Sequence, residues 1–266
     1  MQTNISSVST NGYEMSYFSF GTGETPLVML PGISVKDVTT LADAVAMAYA
    51  RFAERFTVYV FDRRSNIPRG YGIGDTAIDT AAALDRLEIR KACVFGVSMG
   101  GMTAQQLAVN RPDLVERLVL SSTASRIPQQ AKELLSKIHR LAKDGKKDAL
   151  ALTFAEAVYS PSFFEKYRPA ILALLSDCTQ AELDKFAALT EGIVKFDIYD
   201  SLDKIACPLL VIGAGEDKLL GTQSSIEIAK KTGAELYIYE GYGHAAYDEA
   251  PDYKDRLFEF FTRQEG

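Results

Sequence analysis

The sequence predicts an α/β fold: a mostly parallel central sheet with helices on both faces and an inserted helical cap. Three observations lead there. Short, nearly uninterrupted apolar runs alternate with stretches of helical period, the pattern of strands buried on both faces. The strand signals stop after Ser125 and resume near Leu209. Between them lies a segment dense in helix formers and free of clear strands. The 266 residues can bury one large core. That core is assigned to residues 1–125 and 197–266, and the helical cap or lid to residues 126–196.

Residues 13–20 and 26–30 read as two strands turned at Gly21-Thr22-Gly23, and Pro31-Gly32 ends the second abruptly. Residues 41–56 are Ala-rich with apolar residues at helical spacing and predict one helix. Residues 57–61, β-branched and aromatic, predict a strand. A helix over 76–87 leads to a short apolar strand over 92–97, and a helix over 99–110 must stop before Pro112. Residues 117–120 form the next strand. In the cap, Gly145, Pro161 and Thr179 punctuate the chain into roughly four helices. Strands over 209–212 and 236–239 then flank a helix near 224–231, and a last helix covers about 252–262.

Composition narrows the class of function. With 47% hydrophobic and 24% charged residues the chain reads as an ordinary globular protein. A net charge of -6, well mixed along the sequence, serves solubility and excludes the basic stripe of a nucleic-acid binder. The three cysteines, Cys93, Cys178 and Cys207, are far apart, show no metal spacing and read as free thiols. The first residues carry neither the basic nor the apolar region of a secretory signal, and no apolar run approaches the ~20 residues of a membrane helix. The expectation is a cytoplasmic protein whose partner is a small-molecule substrate, with no nucleic acid, no membrane and no metal or organic cofactor.

The chemistry centres on Gly96-Val97-Ser98-Met99-Gly100, a G-x-S-x-G pattern between an apolar strand and a helix. A nucleophilic serine there must sit on a strained turn, and small residues on either side let strand and helix approach. The structural alternative is a Gly-rich turn with an incidental serine, and the strand–helix setting argues against it. Serine needs a base, and the chain has two histidines. His139, in Lys137-Ile138-His139-Arg140, reads as a solvated helix-surface residue. His244 follows the last strand on a turn, where sites of open α/β sheets collect. The orienting acid belongs between Ser and His in chain order. Asp217, in Gly213-Ala214-Gly215-Glu216-Asp217 after the 209–212 strand, is the first choice, with Glu216 beside it as the alternative. Leu120-Ser121-Ser122-Thr123-Ala124, after the preceding strand, holds no carboxylate. Backbone donors for an oxyanion would be the N–H groups of Met99 and Ile33, since Pro31 has none and Gly32 permits close approach.

With those residues the chain resembles the capped α/β-hydrolase superfamily over nearly its whole length. Leu30-Pro31-Gly32 looks like the family's oxyanion loop, with Pro31 where a His is usual. Phe61-Asp62-Arg63-Arg64 resembles the strand-end D-x-R-G segment, with Ser65 in place of Gly. Gly96 to Gly101 matches the nucleophile elbow, Gly213 to Leu219 the acid loop, and Gly243-His244 with Glu249-Ala250-Pro251 the histidine region. The resemblance implies an α/β-hydrolase fold and a carboxylesterase-like serine hydrolase of esterase, lactonase or C–C hydrolase type. Ser98 excludes the Asp-nucleophile chemistries of epoxide hydrolases and haloalkane dehalogenases.

The reading is therefore a Ser98–His244–Asp217 triad that cleaves an ester, lactone or related acyl bond through an acyl-enzyme. Phe154, Tyr159, Phe163, Phe164 and Tyr199 are candidate pocket walls, although aromatics at helical spacing more often serve a core. Asp62, Arg63 and Arg64 at a strand end suggest a structural ion pair first and an anion-binding feature second. The second option would favour a C–C bond hydrolase for an anionic substrate. A ligand-binding protein that keeps the fold without turnover is the reading from a different class.

Overall fold

The computed structural model describes residues 2–10 and 12–264. Eight strands form one sheet: β1 Asn4–Thr10, β2 Tyr13–Phe20, β3 Thr25–Leu30, β4 Phe56–Arg64, β5 Ala92–Val97, β6 Val115–Ser121, β7 Leu209–Ala214 and β8 Glu235–Tyr239. Their order is β1-β2-β4-β3-β5-β6-β7-β8. β1 and β2 pair antiparallel, β2 meets β4 antiparallel, and every pairing from β4 to β8 is parallel.

β5 and β7 are apolar throughout because both faces of the sheet are covered there. Leu27 and Met29 of β3 join Cys93, Phe95 and Val97 of β5 on one side, while Val28, Leu30 and Val94 face the other. All six residues of β5 and all six of β7 are buried. That period-two division leaves no polar position to alternate. β1 is the opposite case and was absent from the sequence reading. Only Val8 of Asn-Ile-Ser-Ser-Val-Ser-Thr is buried, so the strand exists through its seven-residue register with β2, from Asn4 opposite Ser19 to Thr10 opposite Tyr13.

Beside the sheet run α1 Ala42–Ala48, α2 Ile73–Arg86 and α3 Met99–Asn110, with α8 Thr222–Thr232, α9 Ala246–Glu249 and α10 Tyr253–Thr262 after β7. The single helix expected over 41–56 is instead broken, with 3-10 turns at Val38–Leu41 and Ala50–Glu54 on either side of α1. Aromatic packing overrides propensity there. Phe52 is wholly buried, its ring 5.6 Å from Tyr49, 6.0 Å from Phe56 and 5.3 Å from Phe258 of α10.

Between β6 and β7 lie α4 Gln129–Lys143, α5 Lys147–Val158, α6 Pro161–Ser176 and α7 Gln180–Val194. The expected breakpoints act by identifiable chemistry. Gly145 takes φ +65 after α4, Pro161 occupies the first turn of α6 behind its Ser160 cap, and Thr179 with Glu182 forms a capping box on α7. Leu135 and Ile138 of α4 and Leu183 and Phe186 of α7 belong to the same cluster as the sheet's Val28 and Val94. α5 and α6 hold a small cluster of their own around Ala155, Phe164 and Ile171. His139 is not merely solvated, since Nδ1 lies 2.9 Å from the Ala187 carbonyl and links α4 to α7. Among the described residues, no helix is long and apolar enough to cross a membrane.

Candidate active site

Ser98 caps α3 directly after β5, with φ 52 and ψ -118. A positive φ costs an L-residue free energy, of order 1–3 kcal/mol, so surrounding contacts must impose it. The Ser98 N–H donates to Ser121 O at 2.9 Å, and Thr123 Oγ1 donates to Ser98 O at 2.7 Å. Both partners follow or end β6. On the other side α3 is pressed against the loop after β3, where a Cβ on Gly100 would stand 1.8 Å from the Leu30 carbonyl oxygen. Ser98 is 6% exposed.

His244 lies on the turn between β8 and α9. Its Nδ1 donates to Asp217 Oδ2 at 2.8 Å, with both side chains buried. The other carboxylate oxygen, Oδ1, accepts from the Leu219 and Leu220 N–H groups at 2.9 Å each. Burial pushes against ionisation of Asp217, but His244 and the two backbone donors outweigh it and hold the carboxyl below its ordinary range. An ionised Asp217 fixes the tautomer with the proton on Nδ1. His244 Nε2 is buried and, among the described residues, has no hydrogen-bond partner. Glu216, the alternative acid, is exposed, and its N–H donates to Tyr242 O.

The loop after β3 passes over Ser98. A Cβ on Gly32 would lie 3.3 Å from Ser98 Cβ and 3.9 Å from Oγ, so glycine lets the Gly32–Ile33 peptide approach Ser98 without crowding it. Behind this loop sits Arg63, buried at 5% exposure, whose Nη2 donates to the carbonyls of Pro31 and Gly32, the latter at 2.8 Å. Its Nη1 is 3.9 Å from Asp62 Oδ1. Arg64 lies over the Tyr13 ring at 4.0 Å and 3.7 Å from Asp79. Both arginines are therefore engaged inside the protein.

The proposed aromatic walls divide. Tyr159 stacks on Phe163 at 5.4 Å, and the α5–α6 turn that carries it docks on the histidine loop. Ala245 N–H donates to Val158 O at 2.9 Å, and a Cβ on Gly243 would strike the Ser160 nitrogen at 2.4 Å. Glu249 completes the joint by accepting from Ser160 N at 2.9 Å and from its hydroxyl. Phe164 is buried between α5 and α6, Phe154 sits edge-on to Phe186 at 5.7 Å, and Tyr199 lies under Arg126 and Lys231. On the α1 side, a cavity of about 270 Å³ adjoins the loop after β3 and β5, lined by Gly32, Val38, Tyr49, Phe95, Val97 and Tyr247 among others. Sequence reasoning noticed the charged strand end at Arg63 without foreseeing its carbonyl partners, and gave Glu249 no role. Among the described residues no cluster of metal-ligating side chains occurs.

The profile of the alpha/beta hydrolase family matches residues 27–253, which span β3 to the start of α10. The chain belongs to the alpha/beta hydrolase family. By that membership it is an enzyme of the hydrolase class. The hydrolase is 27% identical over 209 residues to 3-oxoadipate enol-lactonase 2 of Acinetobacter baylyi, covering 76% of each chain. Its fold is similar to that of an alpha/beta hydrolase from a Medee basin deep-sea metagenome library, with a TM-score of 0.88 at 23% identity over 98% of both chains. It is also similar to the enol-lactonase from Burkholderia xenovorans, with a TM-score of 0.85 and 24% identity over 97% of this chain and 100% of that one.

Proposed function

We propose that this protein is a serine hydrolase that cleaves an ester, lactone or related acyl bond of a small organic substrate through an acyl-enzyme. One observation carries the reading: Asp217 holds His244 at Nδ1 and leaves Nε2 buried and unpartnered, at the carboxyl end of the parallel strands, where Ser98 occupies its strained turn. His244 Nε2 takes the Ser98 proton as Oγ attacks the acyl carbon. Ile33 and Met99 N–H groups stabilise the tetrahedral oxyanion. The intermediate then collapses, its leaving group takes the proton from His244, and water deprotonated by His244 hydrolyses the acyl-enzyme. The helices between β6 and β7 act as a cap, and the α5–α6 turn closes over the histidine loop.

The kinship with a 3-oxoadipate enol-lactonase supports lactones among the substrates. The cavity of about 270 Å³ beside Gly32 and Val97 supports a small, largely apolar acyl portion. Arg63 is bonded to the Pro31 and Gly32 carbonyls, and Arg64 lies on the Tyr13 ring near Asp79, which counts against C–C cleavage of an anionic substrate. A fluorophosphonate probe tests the proposal. Labelling that maps to Ser98 and disappears in Ser98→Ala, with the fold unchanged by circular dichroism, is expected. An inert wild-type protein, or full labelling of Ser98→Ala, would overturn it in favour of a ligand-binding role or another nucleophile.

A further inference from the structure

A buried guanidinium is expensive unless its donors find strong acceptors. Arg63 is 5% exposed, and its nearest carboxylate, Asp62 Oδ1, stands 3.9 Å from Nη1, beyond hydrogen-bond range. Asp62 is itself committed elsewhere. Its Oδ2 accepts from Val38 N at 2.9 Å, and its Oδ1 accepts from Arg63 N and faces Lys185 of α7 at 3.5 Å. The close partners of the guanidinium are instead two backbone carbonyls in succession, Pro31 O and Gly32 O.

Which way those carbonyls point decides where the next amides point. No peptide bond among the described residues is cis, and in a planar trans peptide the C=O and the following N–H project to opposite sides. Turning Pro31 O toward Arg63 turns the Gly32 N–H away from it. Turning Gly32 O toward Arg63 does the same to the Ile33 N–H. Among the described residues neither N–H donates a hydrogen bond, and Gly32 lies against the Val97–Ser98 turn, where a Cβ added to it would stand 3.3 Å from Ser98 Cβ. Two successive N–H groups facing one way form an anion-binding concavity. A cation bonded to the far end of each peptide also polarises it, which strengthens the N–H as a donor.

We propose that Arg63 is a positioning residue for the oxyanion hole: it grips the Pro31 and Gly32 carbonyls from behind and aims the Gly32 and Ile33 N–H groups at the developing oxyanion. The inference rests on the serine-hydrolase reading and deepens it. It assigns a function to a side chain at the variable position of Asp62-Arg63-Arg64, and it adds the Gly32 N–H as a donor beside Ile33 and Met99. Arg63 does not touch the substrate. It acts through the loop.

The test compares Arg63→Met, Arg63→Lys and the neighbouring Arg64→Met, each checked by thermal melting, on a p-nitrophenyl ester. A trifluoromethyl ketone, which becomes an anionic tetrahedral adduct on Ser98, serves as the oxyanion probe. Losing a whole oxyanion donor costs 10²–10³ in kcat, and misaiming two should cost Arg63→Met about 10- to 100-fold. KM should stay within about threefold, and trifluoromethyl-ketone affinity should fall in step with kcat. Arg63→Lys, able to reach one carbonyl, should fall between wild type and Arg63→Met, and it carries the test if the methionine variant does not fold. Arg64→Met should lose stability while keeping both kcat and ketone affinity. A folded Arg63→Met or Arg63→Lys with wild-type kcat and ketone affinity overturns the proposal, as does a loss that Arg64→Met reproduces. Labelling of wild-type Ser98 by fluorophosphonate keeps this outcome separate from failure of the underlying serine-hydrolase reading.

Discussion

Asp217→Asn is the substitution whose consequence the geometry specifies most fully. Oδ1 faces two donors, the N–H groups of Leu219 and Leu220 at 2.9 Å, whereas Oδ2 faces the imidazole at 2.8 Å. An asparagine amide in this site keeps its carbonyl oxygen toward the two backbone donors, because its NH2 there would meet two N–H groups head-on. The NH2 is then presented to His244 Nδ1 and must donate to it. The ring proton moves to Nε2, the position that has to accept the Ser98 proton, and the base is lost. The same exchange in serine-protease triads lowers kcat about 10⁴-fold, or about 5.4 kcal/mol at 1.36 kcal/mol per decade. Stopped-flow acylation by a p-nitrophenyl ester, with folding verified by melting, measures it. Glu216→Gln, at an exposed position, should stay within about threefold of wild type, as surface changes do. The reasoning is refuted if Asp217→Asn retains more than a tenth of the wild-type rate, or if Glu216→Gln is the crippled variant.

The remaining predictions concern stability and the helices between β6 and β7. Because Asp217 sits below its ordinary 3.8 in the fold, its stabilising contribution is complete above that value and lost as pH falls through the lower folded value. Wild type should therefore lose more melting temperature between pH 5 and about 2.5 than Asp217→Asn, and parallel curves would contradict this. Glu249→Ala leaves the Ser160 N–H without its acceptor, at about 1–3 kcal/mol or roughly 2–5 °C. Calorimetry should show that drop, together with a fall in kcat larger than any rise in KM as the histidine loop loosens. Phe164, buried between α5 and α6, should cost about 3–5 kcal/mol as alanine with little change in substrate preference. Half-buried Phe163, stacked on Tyr159, should as alanine alter the ratio of rates on short and bulky esters, and an unchanged ratio would remove it from the substrate path.

Much of this was legible in the sequence because the determinants are local. A serine flanked by Gly96 and Gly100, preceded by Ala92-Cys93-Val94-Phe95 and followed by a helix former, specifies a strand, a strained turn and a helix within a dozen residues. The helical breaks at Gly145, Pro161 and Thr179 likewise act through φ, a missing N–H and a side-chain cap, each within one turn of chain. With two histidines in the chain, the choice of His244 as candidate base rested on its place after the last strand. What stayed open was whatever depends on residues distant in sequence meeting in space. Asp217 and Glu216 are adjacent and chemically alike, and only the Leu219 and Leu220 amides and the His244 ring distinguish them. β1 carries one buried residue and so no hydrophobic pattern; β2 supplies the hydrogen bonds that make it a strand. In the linear chain Arg63 reads as part of a structural ion pair or an anion-binding feature, and Glu249 only as part of a segment that resembles the family's histidine region. They become parts of the site because β4 runs beside β3, bringing Arg63 behind Pro31 and Gly32, and because the α5–α6 turn lands on the histidine loop. Periodicity and turn chemistry are written into neighbouring residues, but the direction a charged side chain takes is set by acceptors that only the folded sheet brings within reach.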